Sequence, residues 1–135
     1  MIYEIIPFTS AGPIKLGMAR EVVCSNFKDV PKAFFKDPND KVETDAFEEE
    51  GVFVFYDNDY KCIAIEFAYP SVPRFKGIDL LALSLKEGKS FFQDDKNLYT
   101  NNYEYTSYLY GIGAYYERKK LAETVIMFTE NYYEM

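Results

Sequence analysis

Residues 51–67, with the sequence GVFVFYDNDYKCIAIEF, decide the fold of this chain. The unbroken run of β-branched and aromatic residues at Val52–Tyr56 is typical of a strand. Asp57–Asp59 favours a turn, because Asp and Asn side chains bond to their own backbone and tolerate left-handed dihedral angles. The apolar pattern returns at Cys62–Phe67. The stretch therefore predicts a β-hairpin.

A second stretch of the same kind lies at residues 111–128, with the sequence GIGAYYERKKLAETVIMF. In this comparison Tyr56 corresponds to Tyr116, and Phe67 corresponds to Phe128. One long strand is predicted over residues 103–116, with its glycines marking a bulge, and it pairs with a strand over 121–128. Residues 69–73 are expected to form a loop.

A short helix is predicted ahead of each hairpin. Residues 18–27 carry apolar side chains four positions apart, which is the spacing of one helix face. The helix over residues 85–92 follows Ser84, which forms a capping-box pattern with Glu87. The sequence thus predicts one α+β domain over residues 1–135. Duplicated helix-plus-hairpin units, at about 14–70 and 78–133, are expected to share one antiparallel sheet with both helices on one face.

Composition restricts the possible chemistry. The chain has 135 residues, 48% of them hydrophobic and 19% aromatic, which is enough apolar material for a core. It contains no histidine, the commonest general base and metal ligand. Cys24 and Cys62 do not have the spacing of a metal finger. We therefore expect neither a cofactor nor a metal site.

Charge and hydropathy restrict the partners and the location. The net charge of −7 disfavours nucleic acid, because phosphate contacts need clustered Lys and Arg. No apolar run approaches the ~20 residues of a membrane span, and the N-terminal residues lack the pattern of a secretion signal. We expect a cytoplasmic protein that binds neither nucleic acid nor membrane and that prefers a basic partner.

The negative charge is concentrated in residues 37–59, which contain nine acidic residues and one lysine. This segment carries −8, so the rest of the chain carries +1. Clustered charge of one sign speeds association with an oppositely charged partner; the alternative is a solvated segment that keeps the protein soluble. The acidic candidates for partner binding are Glu43, Asp45, Glu48, Glu49, Glu50, Asp57 and Asp59.

Tyrosine is concentrated in the C-terminal part of the chain, where nine of the 13 tyrosines follow position 98. A tyrosine side chain combines a rigid apolar body with a polar tip and is enriched in interface cores. The alternative is ordinary packing of residues with high β-propensity. The tyrosines expected to anchor a partner are Tyr103 and Tyr105 on one strand face, with Tyr108 and Tyr110 on the other.

The sequence contains no catalytic arrangement. No nucleophile–base pair, phosphate-binding loop or cofactor fingerprint can be assembled. Residues 37–48 have Asp and Asn at calcium-loop positions, but Lys41 occupies the fifth position. Val42 occupies the sixth, where such a loop needs Gly. We expect a binding protein rather than an enzyme.

Several motifs resemble known families. Residues 16–23, LGMAREVV, are similar to the helix start of β-lactamase-inhibitor-protein-like and outer-membrane-assembly-lipoprotein-like modules, which are small α/β units that bind other proteins. The whole chain resembles the small cytoplasmic immunity proteins of bacterial polymorphic-toxin and contact-dependent growth-inhibition systems. The motifs that carry this second resemblance are GPIKLGM at 12–18, VFYD at 54–57, AIEF at 64–67, GIG at 111–113, TVI at 124–126 and YY at 132–133.

The resemblance implies a stoichiometric inhibitor that covers the active site of a cognate toxin C-terminal domain, often a basic nuclease. It implies no catalysis and no cofactor. Two alternatives remain open at this point. The first is a protein-binding adaptor or envelope-assembly module of similar fold. The second is a small hydrolase that uses carboxylates.

Overall fold

The computed structural model describes residues 1–118 and 120–134. This part of the chain is mixed α+β and mostly β, with thirteen strands in two sheets and two short α-helices. The strands are β1 (Ile2–Ile6), β2 (Ser10–Ala11), β3 (Ile14–Lys15), β4 (Lys32–Phe34), β5 (Thr44–Phe47), β6 (Val52–Tyr56), β7 (Cys62–Phe67), β8 (Val72–Phe75), β9 (Ile78–Asp79), β10 (Tyr99–Thr100), β11 (Glu104–Ser107), β12 (Ile112–Tyr115) and β13 (Thr124–Phe128). The helices are α1 (Arg20–Cys24) and α2 (Leu85–Phe91), and 3-10 turns cover Leu80–Ala82 and Tyr132–Glu134.

The larger sheet has eight strands in the order β10-β11-β12-β13-β7-β6-β5-β4, and every neighbouring pair is antiparallel. It consists of two four-stranded meanders, which meet where β13 pairs with β7. In that pair Phe128 lies opposite Ala64, and Val125 lies opposite Phe67. The two stretches that were compared in the sequence therefore form the centre of one sheet.

Both predicted hairpins are confirmed, because β6 pairs with β7 and β12 pairs with β13. The first turn is held by Asp57, whose carboxylate accepts hydrogen bonds from the backbone amides of Asp59 and Lys61 at 2.9 and 3.0 Å. The long strand predicted over 103–116 is wrong. The chain turns between β11 and β12, and Gly111 adopts a φ of +66° there, a conformation that favours glycine.

A second, five-stranded sheet has the order β3-β2-β1-β8-β9, so the prediction of one sheet is wrong. Its central pair joins β1 and β8 in parallel, with Ile2 opposite Val72. The residues expected to form a loop at 69–73 therefore end inside a strand. Tyr3 and Ile5 alternate with exposed residues along β1, and their buried side chains face the core.

The helices start close to the predicted positions and are shorter than predicted. α1 begins after Ala19 without a side-chain cap, which agrees with the absence of Ser, Thr, Asp or Asn there. α2 has the predicted capping box, in which Ser84 accepts from the Glu87 amide while the Glu87 carboxylate accepts from the Ser84 amide. Neither helix in the described part of the chain has the length and apolar character that crossing a bilayer requires.

The main core lies between one face of the large sheet and the small sheet. Val54, Ile65 and Phe67 of the large sheet are fully buried there, and the Phe67 ring lies 5.3 Å from the ring of Tyr3. The opposite face carries a smaller cluster in which Phe55, Ala64 and Phe128 are buried. This second face, which we call the open face, is not covered by the five-stranded sheet.

Candidate functional site

Asp45 is buried, so the prediction that it contacts a partner is wrong. The residue is 0% exposed on β5, and the guanidinium of Arg20 donates to both of its carboxylate oxygens at 2.9 and 2.6 Å. The Tyr56 hydroxyl donates to the same carboxylate at 2.8 Å, and the Cys24 thiol lies 3.6 Å from it. A bidentate pair with two further donors satisfies a buried carboxylate. Asp45 therefore ties α1 to the large sheet.

The partners of Asp45 were missed from the sequence, although a signal was available. Asp45 and Phe47 stand two apart on β5 and share its core face, so a carboxylate at position 45 requires a nearby cation. Arg20 supplies that cation, and its guanidinium also lies 5.3 Å from the ring centroid of Tyr60. Burial raises the pKa of the Tyr56 hydroxyl, so this group stays a hydrogen-bond donor at neutral pH.

Three of the predicted acids lie together on the β5–β6 turn. Glu48 and Glu49 are exposed, and Glu50 is partly exposed. The turn is closed by the Gly51 amide, which donates to the Glu48 carbonyl at 3.2 Å, and Gly51 adopts a φ of +70°. An L-residue rarely adopts that φ, so glycine fixes the turn that presents the three carboxylates. We call Glu48–Glu50 the acidic turn.

An apolar groove of about 190 Å³ borders the acidic turn. The rings of Phe27 and Phe47 stack in its wall with their centroids 3.7 Å apart. Val30, on the rim, is 92% exposed. Asp29 and Lys32 also line the groove, so its aromatic wall is bordered by charges of both signs, with acids in excess.

The remaining predicted acids lie elsewhere. Asp57 and Asp59 are at the β6–β7 turn, and the five residues of β6, about 17 Å of extended chain, separate them from the acidic turn. Glu43 is partly exposed just before β5. The acids of residues 37–59 therefore do not form one patch, and Glu48–Glu50 are three consecutive acids on one turn.

The acidic turn makes no ion pair in the described part of the chain, although Lys32 lines the same groove. Among residues 1–118 and 120–134 the ion pairs are Arg20 with Asp45 and Arg74 with Glu4. None of the exposed acids predicted to bind a partner takes part in either pair. The three carboxylates of the turn are therefore not held in ion pairs within the described residues.

The four predicted tyrosines have different surroundings. Tyr105 is 0% exposed, so the prediction that it anchors a partner is wrong; its ring packs against Gly88 of α2. Tyr110 is half-buried, packs on Phe75 with centroids 5.2 Å apart, and donates a hydrogen bond from its hydroxyl to Asp94. Tyr103 and Tyr108 are more than half exposed. Only these last two tyrosines offer most of their surface to a partner.

Tyr108 belongs to an aromatic cluster that was not predicted when the tyrosines were assigned to the two faces of one strand. Its ring lies 5.7 Å from that of Tyr133 and 6.1 Å from that of Phe128. Tyr132 stacks on Phe128 with centroids 5.8 Å apart. The C-terminal 3-10 turn thus covers one edge of the open face, and burial raises the pKa of Tyr133 to about 12.

Neither cysteine is an activated nucleophile. Both are free, and burial raises the pKa of the Cys62 thiol to about 12. Burial, together with the Asp45 carboxylate, also raises the pKa of Cys24, so both thiols stay protonated at neutral pH. No group of three or more metal-ligating side chains occurs within the described residues.

No protein-family model, no curated protein and no solved structure matches this chain.

Proposed function

We propose that the protein binds and neutralises a cognate toxin domain with a basic active-site surface, of which a nuclease is the best example. The observation that carries this proposal is the acidic turn: three consecutive carboxylates that make no ion pair with another described residue and lie beside an open groove with an aromatic wall. The carboxylates would oppose the cationic cleft that a nuclease uses for phosphate. The family resemblance of the sequence supports the same function.

The two parts of this surface would contribute differently. Exposed carboxylates mainly accelerate encounter with a basic partner, because their long-range attraction acts before contact. The groove beside Phe27 and Val30 supplies the apolar burial that holds the complex together. Glu43, Asp57 and Asp59 lie outside the acidic turn and would extend the negative field, with Tyr103 and Tyr108 as further contacts. A protein that works in this way acts where the toxin acts, which we propose is the cytoplasm.

We also propose that the fold contains duplicated helix-plus-hairpin units that share the large sheet, with both helices on one of its faces. Gly51 and Gly111, sixty positions apart, both adopt positive φ and both accept a hydrogen bond at their carbonyl, from Ala68 and Phe128 respectively. Arg20 of α1 contacts Asp45, and Gly88 of α2 contacts Tyr105. The two strand residues are sixty positions apart, and the two helix residues are sixty-eight positions apart. These correspondences support the repeat that the comparison of residues 51–67 with 111–128 predicts.

Co-expression tests the proposed function. The wild-type chain, expressed with the toxin domain encoded by the adjacent gene, should restore growth, and the purified proteins should form a 1:1 complex. The triple variant E48Q/E49Q/E50Q should restore growth less well at equal protein levels. A matched control, E21Q/E130Q/E134Q, removes the same charge from other exposed positions and should protect as wild type does. A wild-type protein that neither protects nor binds would overturn the proposal.

A further inference from the structure

The open face of the large sheet contains a groove of about 490 Å³ that the acidic turn does not border. Its floor follows a row of paired residues across the strands. From β11 to β7 this row is Thr106, Gly113, Ile126 and Glu66. The side of the groove is formed by Tyr132 and Tyr133 of the C-terminal turn.

Glu66 is the unusual residue of this row. It lies on β7, at the centre of the eight strands, and it is partly buried. Burial raises the pKa of its carboxyl group, and Lys36 opposes that rise. Lys36 itself lies over the ring of Phe55, 4.4 Å from the centroid, and forms no ion pair with Glu66. A carboxylate on a central strand without a hydrogen-bonding partner among the described residues is costly for the fold.

Thr106 supplies a second unpartnered polar group. It is 8% exposed and lines the groove, and its hydroxyl makes no hydrogen bond to another described residue but is reached by solvent from the groove. Gly113, opposite it on β12, leaves room above the sheet: a Cβ at that position would lie 3.3 Å from the Thr106 hydroxyl oxygen. The Thr106 hydroxyl and the partly buried Glu66 carboxylate thus line the same groove.

The walls and rim have the composition that a cation requires. Tyr132 and Tyr133 present aromatic rings, which attract cations through their quadrupoles. The other charged residues that line the groove are Glu104, Glu117, Glu123 and Lys36, so acids outnumber bases there even without Glu66.

We propose that this groove binds an arginine side chain that the partner protein presents, with Glu66 as its counter-ion. A guanidinium is planar and carries five donors, so it can bond to the Glu66 carboxylate in bidentate fashion while it stacks on a tyrosine ring. The Thr106 hydroxyl accepts from a remaining N–H. A lysine ammonium lacks this planar geometry and would bind more weakly. This inference specifies the partner chemistry and rests on the proposed function only for the identity of the partner.

The experiment titrates the ¹⁵N-labelled full chain with N-acetyl-arginine N-methylamide and follows the backbone amides by NMR. The amides of Thr106, Gly113 and Ile126 should shift along a saturable curve. Glu66→Gln should weaken the apparent affinity at least fivefold, whereas the control Glu21→Gln, on the exposed side of α1, should bind as wild type does. The lysine analogue should bind more weakly than the arginine one. Thr106→Val, which keeps the shape of the side chain, should cause a smaller loss.

The proposal is overturned if the shifts grow linearly without saturation, if they map to the acidic turn instead, or if Glu66→Gln binds the probe as wild type does. The co-expression experiment with the toxin domain distinguishes a failure of this inference from a failure of the proposed function. Probe binding in the groove by a protein that does not protect cells would refute neutralisation and leave the groove assignment intact. Protection by the wild-type chain without probe binding would refute the groove assignment alone.

Discussion

Replacing Asp45 by Asn tests whether this carboxylate is structural, as its contacts indicate, or part of a binding surface. The variant keeps the shape of the side chain but removes the charge that faces the Arg20 guanidinium. Breaking a buried ion pair by removing one partner costs about 3–5 kcal/mol. The Arg20 side chain is 29% exposed and the Asn carbonyl can still accept from Tyr56, so the lower end, about 3 kcal/mol, is expected.

This loss is large enough to measure without ambiguity. The unfolding entropy of a chain of this length is about 0.3 kcal/mol per kelvin, so a loss of about 3 kcal/mol in the free energy of unfolding lowers the Tm by about 10 °C. Urea unfolding followed by tyrosine fluorescence gives the free energy directly, because the chain has 13 tyrosines and no tryptophan. The matched control is Glu43→Gln, two positions away and partly exposed, which should change stability by less than about 0.5 kcal/mol.

A double-mutant cycle completes the test. Combining Asp45→Asn with Arg20→Gln should cost clearly less than the sum of the two single changes, because the second change removes the charge that the first leaves unpaired. At a temperature where Asp45→Asn is folded, its affinity for the partner should equal that of wild type. Stability within about 0.5 kcal/mol of wild type, or a loss of partner affinity in the folded variant, would refute the structural assignment.

Three further predictions concern the core and the open face. Glu66→Gln should raise the Tm at neutral pH, because burial raises the pKa of this carboxyl in the native state while Lys36 opposes that rise only in part. A carboxyl with a raised native pKa costs the folded protein no stability below its ordinary pKa of 4.5, where it is protonated in both states, and destabilises the fold as the pH rises through the native pKa. The advantage of the Gln variant should therefore disappear near pH 4. Tyr105→Phe should be neutral or stabilising by about 1 kcal/mol in urea unfolding, because the hydroxyl is buried and makes no well-formed hydrogen bond; a loss above about 1 kcal/mol would contradict this. Gly88→Ala should lower stability by about 1–3 kcal/mol, since its Cβ would lie 2.4 Å from the Tyr105 ring, and an unchanged midpoint would contradict the packing of α2 on β11.

The parts of the fold that local sequence determines were predictable. The run at Val52–Tyr56 and the turn chemistry of Asp57 predict the central hairpin, and Ser84 with Glu87 predicts the start of α2. Each of these features depends on residues within a few positions of one another. Their side chains bond to nearby backbone groups, so the pattern alone carries the information.

The small sheet was not predictable in the same way. Its central pair joins β1 to β8, two strands about seventy residues apart, and Pro73 lies opposite Tyr3 in that pair. Proline cannot donate to a ladder hydrogen bond, so its presence argues against a strand when only local sequence is considered. Nothing in the pattern of either segment identifies the other as its partner.

The candidate site residues were predicted from their charge and residue type, and the burial seen in the structure removes some of them from the surface. Asp45 and Tyr105 fit the acidic and aromatic patterns, yet both face the core. Glu66 escaped selection because it stands alone in the apolar sequence CIAIEF and does not belong to a charge run. A single charged residue inside an otherwise apolar strand is the signal that would have found it.

The most direct test of the central claim is the association rate constant with the toxin domain, measured by stopped flow over a series of salt concentrations. If the acidic turn guides the partner, the wild-type rate should fall about tenfold between low and high salt. The E48Q/E49Q/E50Q variant should start several-fold lower with a shallower salt dependence, while E21Q/E130Q/E134Q should follow the wild type closely. Identical salt dependence for the wild type and the acidic-turn variant would contradict the claim that Glu48–Glu50 face the partner.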